Sequence, residues 1–117
     1  MRWLLNLTLT LLVAAPCWAA DLSDAKTDFG VYCANCHGFE GKGNGPGAAG
    51  LDPRYFTNCA DMAKRTDAEL KKTIVGGGDA TGLNPAMPAW GEILKPEQVD
   101  GLVAYIRSFC TTNNANK

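Results

Sequence analysis

Three stretches of the chain have the apolar spacing and capping signals of helices, and no stretch alternates like a convincing strand. They run from about Ser23 to Cys36, from about Asp67 to Val75, and from about Pro96 to Phe109. The second follows Thr66 and contains Glu69, and this pair predicts a capping box. The pattern therefore predicts an all-α fold with three main helices.

Long glycine- and proline-rich loops separate these helices, over Gly38–Pro53 and Gly76–Trp90. A small domain with so much loop buries little protein core. A large apolar cofactor would supply the missing core, and we expect the loops to wrap around it. The polar tail from about residue 111 is expected to fray.

An apolar run near the N-terminus, Trp3–Ala15, follows a basic residue and precedes small residues. This layout predicts a secretory signal peptide over residues 1–19, cleaved near Ala19, and a single domain over residues 20–117. The run is too short for an ordinary membrane span, so an uncleaved anchor is the weaker alternative. A lipoprotein with Cys17 as its lipidated N-terminus is another. Cleavage would make the protein periplasmic, with no stable membrane insertion.

Charge is nearly balanced, with 11 Lys and Arg against 12 Asp and Glu and a formal net charge of −1. A basic nucleic-acid-binding protein is therefore excluded as a function class. Any docking face for a protein partner must be made locally.

The pentapeptide Cys33-Ala34-Asn35-Cys36-His37 is the most specific chemical signal in the chain. Two thiols three residues apart, followed by a histidine, are typical of covalent c-type haem attachment. Cys33 and Cys36 would form the thioethers, and His37 would ligate the iron. A redox dithiol is an alternative, but it lacks its usual βαβ context. We therefore predict one covalently attached haem c.

Two further cysteines, Cys59 and Cys110, remain once Cys17 and the motif are set aside. In an oxidising compartment this pair is expected to form a disulfide. Two separate buried thiols are the alternative. A zinc site would also have to recruit both residues, because the chain has one histidine.

The iron needs a second axial ligand, and methionine is the natural choice in a chain with one histidine. Met87 lies between Pro85 and Pro88, which stiffen the loop and would hold a weak thioether in place. Met62 is the alternative, but a surface or gap-filling role explains it better. His37 and Met87 are therefore the predicted metal ligands.

These motifs resemble those of the class I c-type cytochromes of the small bacterial mono-haem kind. The resemblance covers nearly all of residues 22–110 and rests on Phe29, Cys33–Pro46 with its glycines, Met87-Pro88-Ala89-Trp90, and Leu102-Val103-Ala104-Tyr105. It implies the cytochrome c fold, with Phe29 packed against Tyr105 on the last helix. The pair Cys59 and Cys110 departs from the general pattern, so the resemblance implies nothing about it.

The resemblance also implies roles for residues around the haem. The carbonyl of Pro46 would accept a hydrogen bond from His37 and fix its tautomer. Four glycines would let the backbone approach the porphyrin edge closely. They are Gly41, Gly43, Gly45 and Gly47. By their chemistry, Arg54, Tyr55 and Trp90 are candidate hydrogen-bond donors to the propionates.

The expected function is one-electron transfer by a carrier that is not an enzyme, from a dehydrogenase or reductase to a terminal acceptor such as an oxidase. We expect a monomer that meets its partners transiently through a small apolar patch of Ala34, Ala86 and Pro88. A five-coordinate haem that binds small ligands or turns over peroxide is one alternative. A fixed subunit of an oxidase or dehydrogenase is the other.

Overall fold

The computed structural model describes residues 21–114, with side chains through residue 111. Five α-helices follow in order: α1 Ser23–Tyr32, α2 Ala34–His37, α3 Cys59–Met62, α4 Asp67–Gly76 and α5 Pro96–Asn114. Short 3-10 turns lie at Pro46–Ala48 and Gly78–Thr81. Over this range there is no strand, which agrees with the predicted all-α fold. The predicted signal peptide lies outside the described residues.

The first predicted helix is present but interrupted. Cys33 separates α1 from α2, and its N–H still donates to the Phe29 carbonyl at 2.9 Å. The chain therefore continues in nearly the same direction across the break. Gly38 ends α2 with φ of 76°, a conformation that favours glycine.

The second predicted helix is confirmed together with its cap. Thr66 Oγ1 accepts from the N–H of Glu69 at 3.1 Å, and Glu69 Oε2 accepts from the N–H of Thr66 at 2.8 Å. The helix α4 ends one residue beyond the predicted boundary, at Gly76.

The C-terminal helix is longer than its apolar pattern predicts. It continues five residues past Phe109, to Asn114. The helix thus includes residues 111–114 of the tail. The polar side chains there do not stop a helix that is already propagating, because each added residue forms one more backbone bond.

The core lies where α1 crosses α5. Phe29 is only 1% exposed, and its ring lies 5.2 Å from that of Tyr105 and 5.5 Å from that of Phe109. The predicted contact between Phe29 and Tyr105 is confirmed. Gly101 faces Ala25 at the same crossing, so the two helices approach closely.

A second set of contacts holds the corner between α3 and α4 against α5. Arg107 donates from Nη1 to the Met62 carbonyl at 2.7 Å and from Nη2 to the Arg65 carbonyl. Its Nε donates to Asp67 Oδ1 at 3.0 Å. One side chain thus satisfies two carbonyls and one carboxylate at this corner.

Cys59 and Cys110 are neighbours at the same corner. The structure pairs their sulfur atoms as a disulfide, with the Cα atoms 5.4 Å apart. That separation lies inside the range that a disulfide spans. The predicted pairing is thus geometrically compatible with the fold.

None of the helices within residues 21–114 is both long and apolar enough to cross a membrane.

The Phe29 packing gives a direct stability test. Phe29→Ala should lower the free energy of unfolding by about 3–5 kcal/mol, because it leaves a cavity at the α1–α5 crossing. Phe39→Ala is the control, since the Phe39 side chain is 76% exposed, and it should change stability by about 0.5 kcal/mol or less. Urea denaturation measures both, and equal effects would contradict the assigned core.

Candidate haem site

A cavity of about 960 Å³ opens between α2, α4 and the two long loops. This is the upper end of the roughly 300–1,000 Å³ that small-molecule and cofactor sites occupy. Its lining includes most of the residues that the sequence singled out: Cys33, Cys36, His37, Arg54, Tyr55, Met87 and Trp90. The fold therefore brings the haem motif and the methionine loop to one cavity, although they are separated by about fifty residues of sequence.

The His37 side chain is held in a defined orientation. Its ring stacks on that of Phe56, with centroids 4.5 Å apart and planes 18° apart. Its Nδ1 lies 3.3 Å from the Arg54 carbonyl oxygen, and because a carbonyl only accepts, Nδ1 carries the proton. The Nε2 atom then carries no proton, and its lone pair is free to bind a metal ion.

Burial lowers the pKa of His37 below its ordinary value, and the Arg54 charge acts in the same direction. The hydrogen bond to the Arg54 carbonyl opposes both effects. The imidazole is therefore neutral near pH 7, as a metal-ligating histidine must be.

The acceptor for His37 differs from the expected one. The structure uses the Arg54 carbonyl, whereas the Pro46 carbonyl was expected from the resemblance. Pro46 is exposed and lines a separate pocket of about 300 Å³ beside Phe39 and Glu40. In this structure His37 therefore contacts the carbonyl of Arg54 and not that of Pro46, because the loop that follows α2 places the Arg54 backbone against the imidazole.

The two motif cysteines are half-buried free thiols on the cavity wall. Burial raises the pKa of Cys33 to about 12, and the charge of Asp28 adds to the rise. A redox dithiol needs a lowered pKa, so Cys33 does not suit that alternative. The zinc alternative also lacks ligands, because the described residues contain no group of three or more His, Cys, Asp or Glu side chains that could hold a metal ion.

The two candidate methionines occupy different environments. Met87 is half-buried and lines the cavity, whereas Met62 is 2% exposed within the core. The Met87 carbonyl accepts from the N–H of Gly78 at 3.0 Å, and this bond ties the methionine loop to the end of α4. A Cβ atom on Gly77 would lie 2.9 Å from the Met87 carbonyl oxygen, and the φ angle of Gly77 is 76°. Glycine at that position therefore lets the loop lie directly on the helix end.

The four loop glycines have a different role from the expected one. None of Gly41, Gly43, Gly45 and Gly47 lines the large cavity. A Cβ on Gly45 would meet the Asn35 carbonyl oxygen at 2.2 Å, and a Cβ on Gly41 would meet the Phe109 ring at 3.0 Å. At Gly41 and Gly45 the absence of a side chain lets the loop pack closely against protein.

The three expected propionate donors line the cavity with partners of their own. Arg54 pairs with Asp61, and Tyr55 Oη lies 3.4 Å from Asp52 Oδ1. The Trp90 ring packs against that of Tyr32 at 5.3 Å.

The sequence did not point to several polar residues that also line the cavity, among them Asn58, Asp61 and Arg65. They lie in or beside the short α3–α4 corner, whose place in the fold is set by contacts with α5. No local signal marks them as site residues.

The expected docking patch is partly wrong. Ala34 is only 2% exposed, because it lies beneath the loop that follows α2. Ala86 and Pro88 are exposed at the cavity, as expected. Val31 and Leu83 are also exposed there and extend the apolar rim.

Comparison with known proteins identifies the family. Residues 14–106 match the family model described as "Cytochrome C oxidase, cbb3-type, subunit III". The chain belongs to the class I c-type cytochromes. It is 33% identical over 86 residues to cytochrome c6 of Bryopsis maxima, covering 74% of this chain and 89% of that protein.

Two further similarities support this c-type cytochrome assignment. The cbb3-type cytochrome c oxidase subunit FixP of Azorhizobium caulinodans is 31% identical over 80 residues, which are 68% of this chain and 24% of that subunit. The solved structure of the KustC0563 c-type cytochrome matches with a TM-score of 0.62 and 29% identity, over 73% of this chain and 95% of that one.

The residues of this cytochrome fit a haem group on physical grounds. The cavity has the volume of a large cofactor site, and its wall carries two free thiols, a neutral imidazole and a thioether. These are the donor types that c-type haem uses.

Proposed function

We propose that this cytochrome is an electron carrier with one haem c, attached through Cys33 and Cys36 and ligated by His37 and Met87. One observation carries the proposal. Both candidate iron ligands and both thiols line the same cavity. The relatives named as cytochromes c6 and c-554(547) support electron transfer as the general role.

When bound, haem supplies a one-electron couple between Fe(III) and Fe(II). The chain's contribution is to tune that couple and to control access to it. A histidine and methionine pair raises the reduction potential, and a buried apolar wall acts in the same direction. With His37 and Met87 both bound, the iron would have no open position for oxygen or peroxide, which favours electron transfer over catalysis.

The choice between Met87 and an open iron site can be tested by substitution. Met87→Leu should abolish the weak long-wavelength absorption band of a thioether bound to ferric haem, and the reduced protein should then bind carbon monoxide. Met62→Leu is the matched control, because Met62 lies in the core and volume-conserving swaps there cost less than about 1.5 kcal/mol. A wild-type protein without the band would contradict six-coordination and favour the five-coordinate alternative.

Transient partners are the better explanation of the apolar rim. Four exposed apolar residues line the cavity from which an electron could leave, namely Val31, Leu83, Ala86 and Pro88. Weak redox encounters use small interfaces of this kind. The similarity to FixP keeps a fixed oxidase subunit as the second candidate, and gel filtration of a native extract separates the two, since a carrier elutes alone.

Export to the periplasm belongs to the same proposal, since haem attachment of this type occurs in exported chains. We expect the mature protein to begin at Ala20, after cleavage at Ala19. Intact-mass measurement of the native protein checks this. A mass that retains residues 1–19 would favour the uncleaved anchor, and a lipid mass on Cys17 would favour the lipoprotein.

The bond between Cys59 and Cys110 is also part of the proposal. It would close a loop with a sequence separation of 51 residues, which the chain-entropy model values at about 4 kcal/mol. The double variant Cys59→Ser/Cys110→Ser should therefore lose about 4 kcal/mol in urea denaturation. Alkylation of the non-reduced wild-type protein should label neither residue, and two labelled cysteines would refute the bond.

A further inference from the structure

We propose that Phe56 is a positioning residue for the haem iron, because its ring fixes the plane of the His37 imidazole and so the orientation of the axial ligand. Phe56 acts through His37 and is not itself a ligand. This role rests on the proposed haem. The motifs of the sequence did not point to Phe56.

The rings of Phe56 and His37 are stacked. Their centroids lie 4.5 Å apart and their planes are 18° apart. Aromatic rings attract each other in offset stacks at about this separation. Among the described residues, no other aromatic ring stacks on that of His37. The Phe56 ring therefore presents the flat surface against which the imidazole lies.

The hydrogen bond that His37 makes does not fix the imidazole plane by itself. Nδ1 lies 3.3 Å from the Arg54 carbonyl oxygen. This distance is just beyond the roughly 2.7–3.2 Å that is typical of N–H···O bonds. The last torsion of a histidine side chain is also soft, with a broad energy minimum. The long bond directs one atom of the ring, and the stacking on Phe56 limits rotation about that torsion.

The Phe56 side chain is itself locked in place. It is 6% exposed, and its ring lies 6.2 Å from that of Phe29 and 6.4 Å from that of Phe109. Its N–H donates to the Gly41 carbonyl at 2.8 Å, which ties its backbone to the loop that follows His37. A supporting ring that is fixed by packing holds a site side chain more precisely than a mobile one.

Helix α5 also holds the backbone around Phe56. Cys59 follows Phe56 by three residues and is paired with Cys110, whose Sγ lies 3.3 Å from the Phe56 carbonyl oxygen. The segment over residues 54–59 carries both the stacking contact and the hydrogen bond to His37. The cysteine pair that departs from the family pattern therefore supports the segment that orients the imidazole.

The plane of an axial imidazole has a measurable effect on ferric haem. Partners that fix the orientation of a metal-bound histidine tune the metal. The imidazole plane decides how the unpaired spin is distributed over the porphyrin ring, and the proton NMR shifts of the haem methyl groups report this distribution. A fixed plane gives widely spread methyl shifts, whereas a rotating imidazole averages them.

The experiment is proton NMR of the haem-loaded ferric protein with cyanide bound. Cyanide is a linear ligand that takes the position proposed for Met87, so the methyl shifts then report the His37 plane alone. Phe56→Leu keeps an apolar side chain but removes the flat ring, and it should narrow the spread of the methyl shifts. Phe56→Tyr keeps the ring and should retain the wild-type spread.

Two other aromatic residues control for the loss of a ring. Tyr105→Leu loosens the same aromatic core, because Tyr105 packs against Phe29, but Tyr105 does not line the cavity. Tyr32→Leu changes the cavity wall, because Tyr32 lines it. Neither of these rings stacks on that of His37, so both variants should keep the wild-type spread.

The outcomes separate the role of Phe56 from the proposed function. A wild-type spread in Phe56→Leu would overturn the role, and so would an equal narrowing in Phe56→Leu and in either control. If Phe56→Leu does not fold, the wild-type ferrous protein decides, because nuclear Overhauser contacts between the ring protons of Phe56 and His37 should be present. Their absence would overturn the role as well. Wild-type protein without covalent haem would refute the proposed function itself.

Discussion

The packing of Phe29 against α5 fixes the position of the haem motif. Phe29 precedes Cys33 by one helical turn, and the break at Cys33 keeps its backbone bond to the Phe29 carbonyl. The packing of α1 against α5 therefore sets the direction of the short helix α2. If that crossing moved, His37 would lose both its stacking on Phe56 and its hydrogen bond to the Arg54 carbonyl.

The same C-terminal helix also organises the other side of the cavity. Tyr105 and Phe109 pack against Phe29, which lies one turn before the haem motif. Arg107 and Cys110 contact the corner between α3 and α4. Residues a few positions apart on one helix thus orient two walls that are far apart in sequence. This arrangement explains how a small chain with long loops can keep a large cavity in a defined shape.

The parts of the fold that depend on local sequence were predictable. The capping box at Thr66 and the Cys33–His37 motif are set by residues within one or two helical turns. The parts that failed depend on distant contacts. His37 contacts the Arg54 carbonyl because the chain returns to the imidazole at that residue, and Ala34 is buried because the following loop covers it.

The loop glycines show the same limit in another form. Their number indicated a close approach, but only the folded chain reveals that Gly45 faces the Asn35 backbone and Gly41 faces the Phe109 ring. A glycine in a sequence can indicate that another group packs closely against that residue. It does not identify which group that is. Asp61 and Arg65 could not be predicted as cavity residues for a related reason. They line the cavity only because α5 holds the corner between α3 and α4 in place.

Helix α4 connects the α3–α4 corner to the loop that carries Met87. It begins at the capping box beside Arg65 and ends where Gly78 donates to the Met87 carbonyl. Trp90 also donates to the Ile74 carbonyl at 2.9 Å, which adds a second backbone tie between the loop and the helix. The position of Met87 thus depends on the same rigid element that carries the corner. A thioether is a weak ligand, so a loop bonded to a helix end can hold it where a free loop would not.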